Sequence, residues 1–210
     1  ALATRKDGTA WAIGSNNYGQ LGIGSYESKA KLVQIEGLTD ITSISAGETH
    51  SIALDSYGTV YGWGSNANGE LSSKYTGKDT SKPVVISMPR DTIIQISAGK
   101  AESAFVTTNG QVYGMGKILN GYIPGVTNAV KVEVGTNYLL ILRADGTIYK
   151  YQNGQLTQVS NIKNAIDISV QNNVNMYQSV DEKAYTWGEN INGQLGLNST
   201  EEVSNPTQVL

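Results

Sequence analysis

His50 is the single histidine of the chain and cysteine is absent. Imidazole chemistry is therefore confined to one position, and thiolate nucleophiles, disulfides and multi-histidine or cysteine metal sites are excluded. A serine triad would need a serine beside His50 and an orienting carboxylate, and nothing in the spacing supplies that set. His50 falls in Gly47-Glu48-Thr49-His50-Ser51, and Glu102, Tyr138 and Val174 hold the equivalent places in later copies of the phrase. A polar cap at a strand start explains it better than a catalytic base. Paired carboxylates in a central pocket would suit glycoside hydrolysis. The acids lie mostly in turns (Asp7, Asp55, Asp145, Asp181) or insertions (Glu70, Asp79, Glu201, Glu202), where local roles account for them. No phosphate-binding glycine loop and no alternating-Asp calcium loop is present. No catalytic, cofactor-binding or metal-ligating residue is assigned, and no cofactor is expected.

Tyrosine outnumbers phenylalanine twelve to one. Tyr26, Tyr75 and Tyr122 fall in connections, and Tyr138 sits in the turn that carries His50 one copy earlier. Loop tyrosines offer large contact area with a polar tip, so these four are the candidate partner-binding residues. Tyr18 is assigned instead to packing within its own turn. The net charge is −3, which gives no basic field for a phosphate backbone. Nucleic acid is not an expected partner. No apolar run approaches the roughly 18 residues of a spanning helix, so no membrane insertion is expected either.

These residues are positioned by a repeat. One phrase recurs five times: a turn pair, a polar residue, then an alternating strand. It reads Asp7-Gly8-Thr9-Ala10-Trp11, Tyr57-Gly58-Thr59-Val60-Tyr61, Asn109-Gly110-Gln111-Val112-Tyr113, Asp145-Gly146-Thr147-Ile148-Tyr149 and Asp181-Glu182-Lys183-Ala184-Tyr185. A second phrase, beginning at Ile44, Ile96, Val132 and Ile168, precedes the last four copies at a constant offset. Each unit reads as hairpins of short strands, with predicted strands at 9–13, 59–63, 111–115, 147–151 and 183–187. The Asn-Gly and Asp-Gly pairs suit type I′ turns. Asp181-Glu182 lacks the glycine and predicts a strained or different turn. Units of 36–52 residues with about four strands each predict an all-β protein, a β-propeller of about five blades. The boundaries are about 1–50, 51–102, 103–138, 139–174 and 175–210, a single propeller domain or segment over 1–210. Aligning the two termini leaves one inner strand unaccounted for, so the expectation is part of a larger ring, or an assembly with a neighbouring chain.

Trp63-Gly64-Ser65-Asn66-Ala67-Asn68-Gly69-Glu70-Leu71 and Trp187-Gly188-Glu189-Asn190-Ile191-Asn192-Gly193-Gln194-Leu195-Gly196 resemble the signature of the regulator-of-chromosome-condensation repeat family. Gly14-Ser15-Asn16-Asn17-Tyr18-Gly19-Gln20-Leu21-Gly22 and Ile44-Ser45-Ala46-Gly47-Glu48-Thr49-His50-Ser51 do so too. The third and fourth units lack the Asn-x-x-Gly-Gln-Leu-Gly insertion, and in the fourth Asn153-Gly154 closes the gap as a tight hairpin. The resemblance implies a propeller that binds proteins without catalysing a reaction. The partner would be another protein or neighbouring copies of the same chain. It also keeps open a β-lactamase-inhibitor role and, less readily, a small-GTPase exchange role; the propeller architecture itself keeps open, equally less readily, a glycan-hydrolysing one. The acidic, Cys-free, Asn- and Tyr-rich composition with degenerate repeats leads to a further expectation, an extracellular or cell-surface recognition module of bacterial or phage type.

Overall fold

A computed structural model describes residues 1–72, 76–88 and 91–209, and every described element is a β-strand. The first sheet contains β1 (Leu2–Thr4), β2 (Ala10–Gly14) and β3 (Lys29–Gln34). The second contains β4 (Ile41–Ala46), β5 (His50–Asp55), β6 (Val60–Gly64) and β7 (Thr80–Val85). The third contains β8 (Ile93–Ala98), β9 (Glu102–Thr107), β10 (Val112–Gly116) and β11 (Asn120–Tyr122). The fourth contains β12 (Ala129–Val134), β13 (Leu139–Arg143), β14 (Ile148–Gln152) and β15 (Gln155–Gln158). The fifth contains β16 (Ala165–Gln171), β17 (Val174–Ser179), β18 (Ala184–Gly188) and β19 (Val203–Gln208). Each is an antiparallel meander in which sequence neighbours pair. The first sheet has three strands and the others four, as described. The five recurring strands begin and end one residue later than the sequence predicts.

Two compact units divide the chain, Ala1–Ile123 and Pro124–Leu210. Second strands carry the core of each blade because both of their faces are covered. All six residues of β5 and all six of β9 are buried, which is why these strands read as runs of small and apolar residues rather than alternating ones. In the first unit, Ala10, Ala12, Leu21, Ile41, Ala53 and Trp63 form one cluster, and Ile52, Leu54, Ile86, Ile96 and Phe105 form another. In the second unit Leu140, Ile148, Ile168, Tyr177, Tyr185 and Trp187 form the core. Tyr177 and Tyr185 stack with ring centroids 4.6 Å apart. First strands β4, β8, β12 and β16 all show a register shift near their start. The repeat of that bulge marks it as part of the blade design rather than a local defect.

The hairpin turns correct one expectation. At Arg5–Gly8 the Gly8 N–H donates to the Arg5 carbonyl at 3.0 Å and the Arg5 N–H to the Thr9 carbonyl at 2.9 Å. Only the third loop residue, Gly8 at φ +78°, is left-handed. That is a type I turn closed by a glycine bulge, not type I′. The same bond pair recurs at Asp55–Thr59, Thr107–Gln111, Arg143–Thr147 and Ser179–Lys183. In two copies an aspartate ahead of the glycine supports the turn by accepting from the residue beyond it. Asp7 Oδ1 takes the Thr9 N–H at 3.0 Å, and Asp145 Oδ1 takes the Thr147 N–H at 3.0 Å. Glu182 occupies the glycine place at φ +63°, so the glycine-free copy keeps the turn type and bears the strain. Type I′ geometry does occur at Asn153-Gly154, with φ of +52° and +78°.

The insertions are organised by one buried amide each. Asn16 Oδ1 accepts the Leu21 N–H at 2.8 Å while its Nδ2 donates to the Ser25 carbonyl at 2.8 Å. Asn66 and Asn190 repeat the arrangement with Leu71 at 2.9 Å and Leu195 at 2.9 Å. Part of the asparagine excess is thus interior, satisfying loop backbone that would otherwise be buried without partners.

Candidate functional site

In the second unit a cleft of about 660 Å³ opens between the fourth and fifth sheets. Its size falls in the roughly 300–1,000 Å³ range of ligand-binding sites. One wall carries Lys150, Gln152 and Thr157, and the other Asn175, Trp187 and Asn205. Amides and hydroxyls dominate the lining, with Lys150 on one side and Glu189 and Glu202 on the other. The surface can exchange hydrogen bonds with a polar, uncharged guest, with an indole and a phenol behind them. At the base Tyr138 donates its hydroxyl to Asn175 Oδ1 at 2.6 Å. Burial pushes the Tyr138 hydroxyl up to about 12, so it stays a donor. Lys150 Nζ lies 4.5 Å from the centre of the Tyr138 ring, a cation–π contact that fixes the ammonium on the wall.

Three of the four tyrosines singled out from sequence lie among the described residues, and they differ in exposure. Tyr26 is 53% exposed in the first insertion. Tyr122 is 39% exposed at the edge strand of the third sheet, packed edge-on to Tyr113. Its hydroxyl donates to Asp91 Oδ2 at 2.7 Å, and that bond, with some burial, raises the phenol to about 12. Tyr75 lies outside the described residues. Tyr138 departs from the expectation: it is 5% exposed, because its ring belongs to the core and its hydroxyl is engaged with Asn175. It floors the cleft but offers little surface of its own. Sequence reasoning missed Trp187, Asn175 and Asn205 as cleft residues. The available signal was the loss of the fourth unit's insertion, which uncovers the neighbouring blade.

The candidate chemical groups are structural. His50 is fully buried at the start of β5, with Nε2 3.0 Å from Ser103 Oγ across to β9. Burial lowers it to about 4, so the ring is neutral at pH 7. Among the described residues its Nδ1 has no hydrogen-bond partner, so no carboxylate orients the ring as a triad requires. Glu102 is buried and accepts the Ile118 and Leu119 N–H groups at 2.8 and 3.2 Å. Glu70, also buried, accepts the Asn68 N–H at 2.9 Å and its side-chain amide at 2.8 Å. Both carboxylates are occupied with their own backbone. Among the described residues no cluster of three or more His, Asp or Glu could hold a metal ion, and no helix is long and apolar enough to cross a membrane.

Antiparallel meanders of short strands, one of three strands and four of four as described, define propeller blades. The chain belongs to the regulator of chromosome condensation (RCC1) repeat family, whose model matches residues 7–54, 57–106 and 181–210. A zebrafish (Danio rerio) RCC2 homolog is 27% identical over 93% of this chain and 41% of its own length. The Xenopus laevis regulator of chromosome condensation is 28% identical over 74% of the chain and 41% of its own. The human probable ubiquitin ligase HERC6 is 33% identical over 59% of the chain and 13% of its own. The chain spans less than half the length of these relatives. Among solved structures, human WBSCR16 superposes with a TM-score of 0.86 at 17% identity, covering 98% of this chain and 63% of the other. Yeast Prp20p gives 0.81 at 19% identity, over 100% and 61%. Both establish the propeller fold.

The relatives also correct the expected compartment. They are eukaryotic chromosome-condensation regulators and HERC proteins, which are nuclear or cytosolic, not extracellular. Composition misled because it reports loop architecture. Asn16, Asn66 and Asn190 are abundant for the sake of buried turns, and that need is the same in any compartment.

Proposed function

We propose that this chain is a non-catalytic protein-recognition module, in which blades hold loops and a polar cleft against a protein partner. One observation carries the reading. His50, Glu70 and Glu102 are buried and spent on internal bonds, while the open cleft is lined mainly by amides, hydroxyls and an indole, with Lys150 on one wall and Glu189 and Glu202 on the other. Such a lining is suited to binding and orienting a guest through many hydrogen bonds. The solved structure of Prp20p is described with its binding to Gsp1p and histones, and a second with Kap60 bound to it. Those partners belong to that protein and support, by analogy, a protein as the partner class here. Exposed Tyr26 and Tyr122 serve as further contacts on the first unit.

The test is affinity capture with the isolated chain as bait, followed by binding isotherms with the purified partner. A saturable protein partner is expected, bound more weakly by Tyr26→Ala or Tyr122→Ala. Turnover of a glycan library by the chain, or no retained protein, would overturn the reading.

A further inference from the structure

What fills the space beside the third-strand tryptophan is visible at the junction of the first and second sheets. There the insertion of the first sheet lays the Gln20 carbonyl 2.8 Å from Trp63 Nε1 and 2.8 Å from Ser51 Oγ. A Cβ on Gly22, at φ +71°, would sit 2.8 Å from the same indole nitrogen. Backbone and indole are therefore in direct contact, and Trp63 is fully buried.

Trp187 holds the same register place in the fifth sheet. It pairs with Asn175 as Trp63 pairs with Ser51. The sheet ahead of it has no insertion, because Asn153-Gly154 joins β14 directly to β15. The cleft lies where that insertion would pack. Trp187 is only 7% exposed, yet its Nε1 donates to no group among the described residues. Asn175 has turned its amide to the Trp187 carbonyl at 3.2 Å instead.

We propose that the cleft receives a glycine-containing turn of a protein partner, with a backbone carbonyl of that turn accepting from the Trp187 indole N–H. The partner's loop would take the place that the chain's own insertion takes at the first junction. The inference rests on the protein-recognition reading and names its site. The occupant's chemistry follows from the filled junction. Its acceptor is a backbone carbonyl, because that is what Trp63 and Ser51 meet, and it approaches through a glycine, because a side chain at Gly22 would strike the ring. Lys150 faces Glu189 and Glu202 across the lining, so the turn carries little net charge.

The experiment uses the full chain as target for a displayed library of disulfide-closed loops with a central glycine. Selected loops are synthesised and titrated against wild type, Trp187→Phe and Asn205→Trp. Trp187→Phe keeps a ring and deletes the donor, so affinity is expected to fall about tenfold, the equivalent of one hydrogen bond. Asn205→Trp changes an exposed rim residue, leaves the core alone and fills the cleft, so binding should be lost. Circular dichroism confirms that both variants are folded. Selection of no loop, or loops that bind both variants as tightly as wild type, overturns the proposal and leaves the cleft a solvent-filled gap. The protein-recognition reading is judged separately, by capture of a partner with the wild-type chain.

Discussion

Glu182 is a residue whose side chain is at odds with its backbone. It stands at φ +63° in a turn where four sister copies place glycine. A left-handed conformation costs an ordinary residue roughly 1–2 kcal/mol, part of which glycine returns as unfolded-chain entropy. Glu182→Gly should therefore stabilise the chain by about 1 kcal/mol, read as a shift in urea midpoint at unchanged slope. His50 and Glu102 make a second, pH-dependent case. His50 is held down to about 4 by burial from its usual 6.5, so its contribution is complete above pH 6.5 and drains as pH falls through 4. Glu102 is pushed up to about 7 from 4.5, chiefly by burial, with its backbone donors opposing and nearby Glu70 adding to the rise. Its contribution is complete below pH 4.5 and is lost as pH rises through 7. Between pH 4.5 and 6.5 the two slopes oppose each other, and the wild-type stability profile should be shallow there. Glu102→Gln keeps an acceptor for the Ile118 and Leu119 N–H groups but removes one slope. Urea melts of that variant should show stability climbing with pH across the window; a profile as shallow as wild type would contradict the assignment.

At the scale of the strand and its loop, much of the blade was legible because it repeats. The turn pairs and the aromatic of each third strand placed β2, β6, β10, β14 and β18 to within a residue, since period and punctuation survive degeneration of the side chains. Turn type was less legible. Asp-Gly is compatible with two hairpin geometries, and the one found also forms at Tyr57-Gly58 and Asn109-Gly110, so the pair before the strand does not by itself choose between them. The cleft was the least legible feature: sequence shows that the fourth insertion is missing, whereas the indole that lines the cleft belongs to the next blade. Trp63 and Trp187, alike in sequence, consequently differ in energetics. Trp63→Phe removes one of the two donors to the Gln20 carbonyl, Ser51 Oγ keeping the other, and should cost about 0.5–1.5 kcal/mol. Trp187→Phe breaks no hydrogen bond and should cost clearly less. Chemical denaturation of the two variants side by side checks this, and equal losses would mean that the indole N–H of Trp187 has a partner.

For the whole chain, charge constrains the partner more firmly than fold does. Propellers of this family share an architecture with proteins of varied activity, and architecture alone does not choose among them. The relatives include a regulator of chromosome condensation, and DNA is the partner class that charge tests most directly. A protein that binds duplex DNA by its backbone releases counterions from phosphates neutralised by Lys and Arg, and its affinity falls steeply with salt. Here 15 basic side chains are outnumbered by 18 acidic ones. Of the basic groups Lys29, Lys100, Lys131 and Lys183 are ion-paired with carboxylates, which removes them from any common field. The net charge therefore gives a polyanion no overall attraction to this chain. Mobility-shift titration with a mixed-sequence 30-base-pair duplex at 50 mM salt should accordingly show no complex up to about 10⁻⁵ M chain, beyond the tighter end of nonspecific binding at physiological salt. A salt-sensitive shift below that concentration would place a phosphate-binding surface on this chain and reopen the choice of partner.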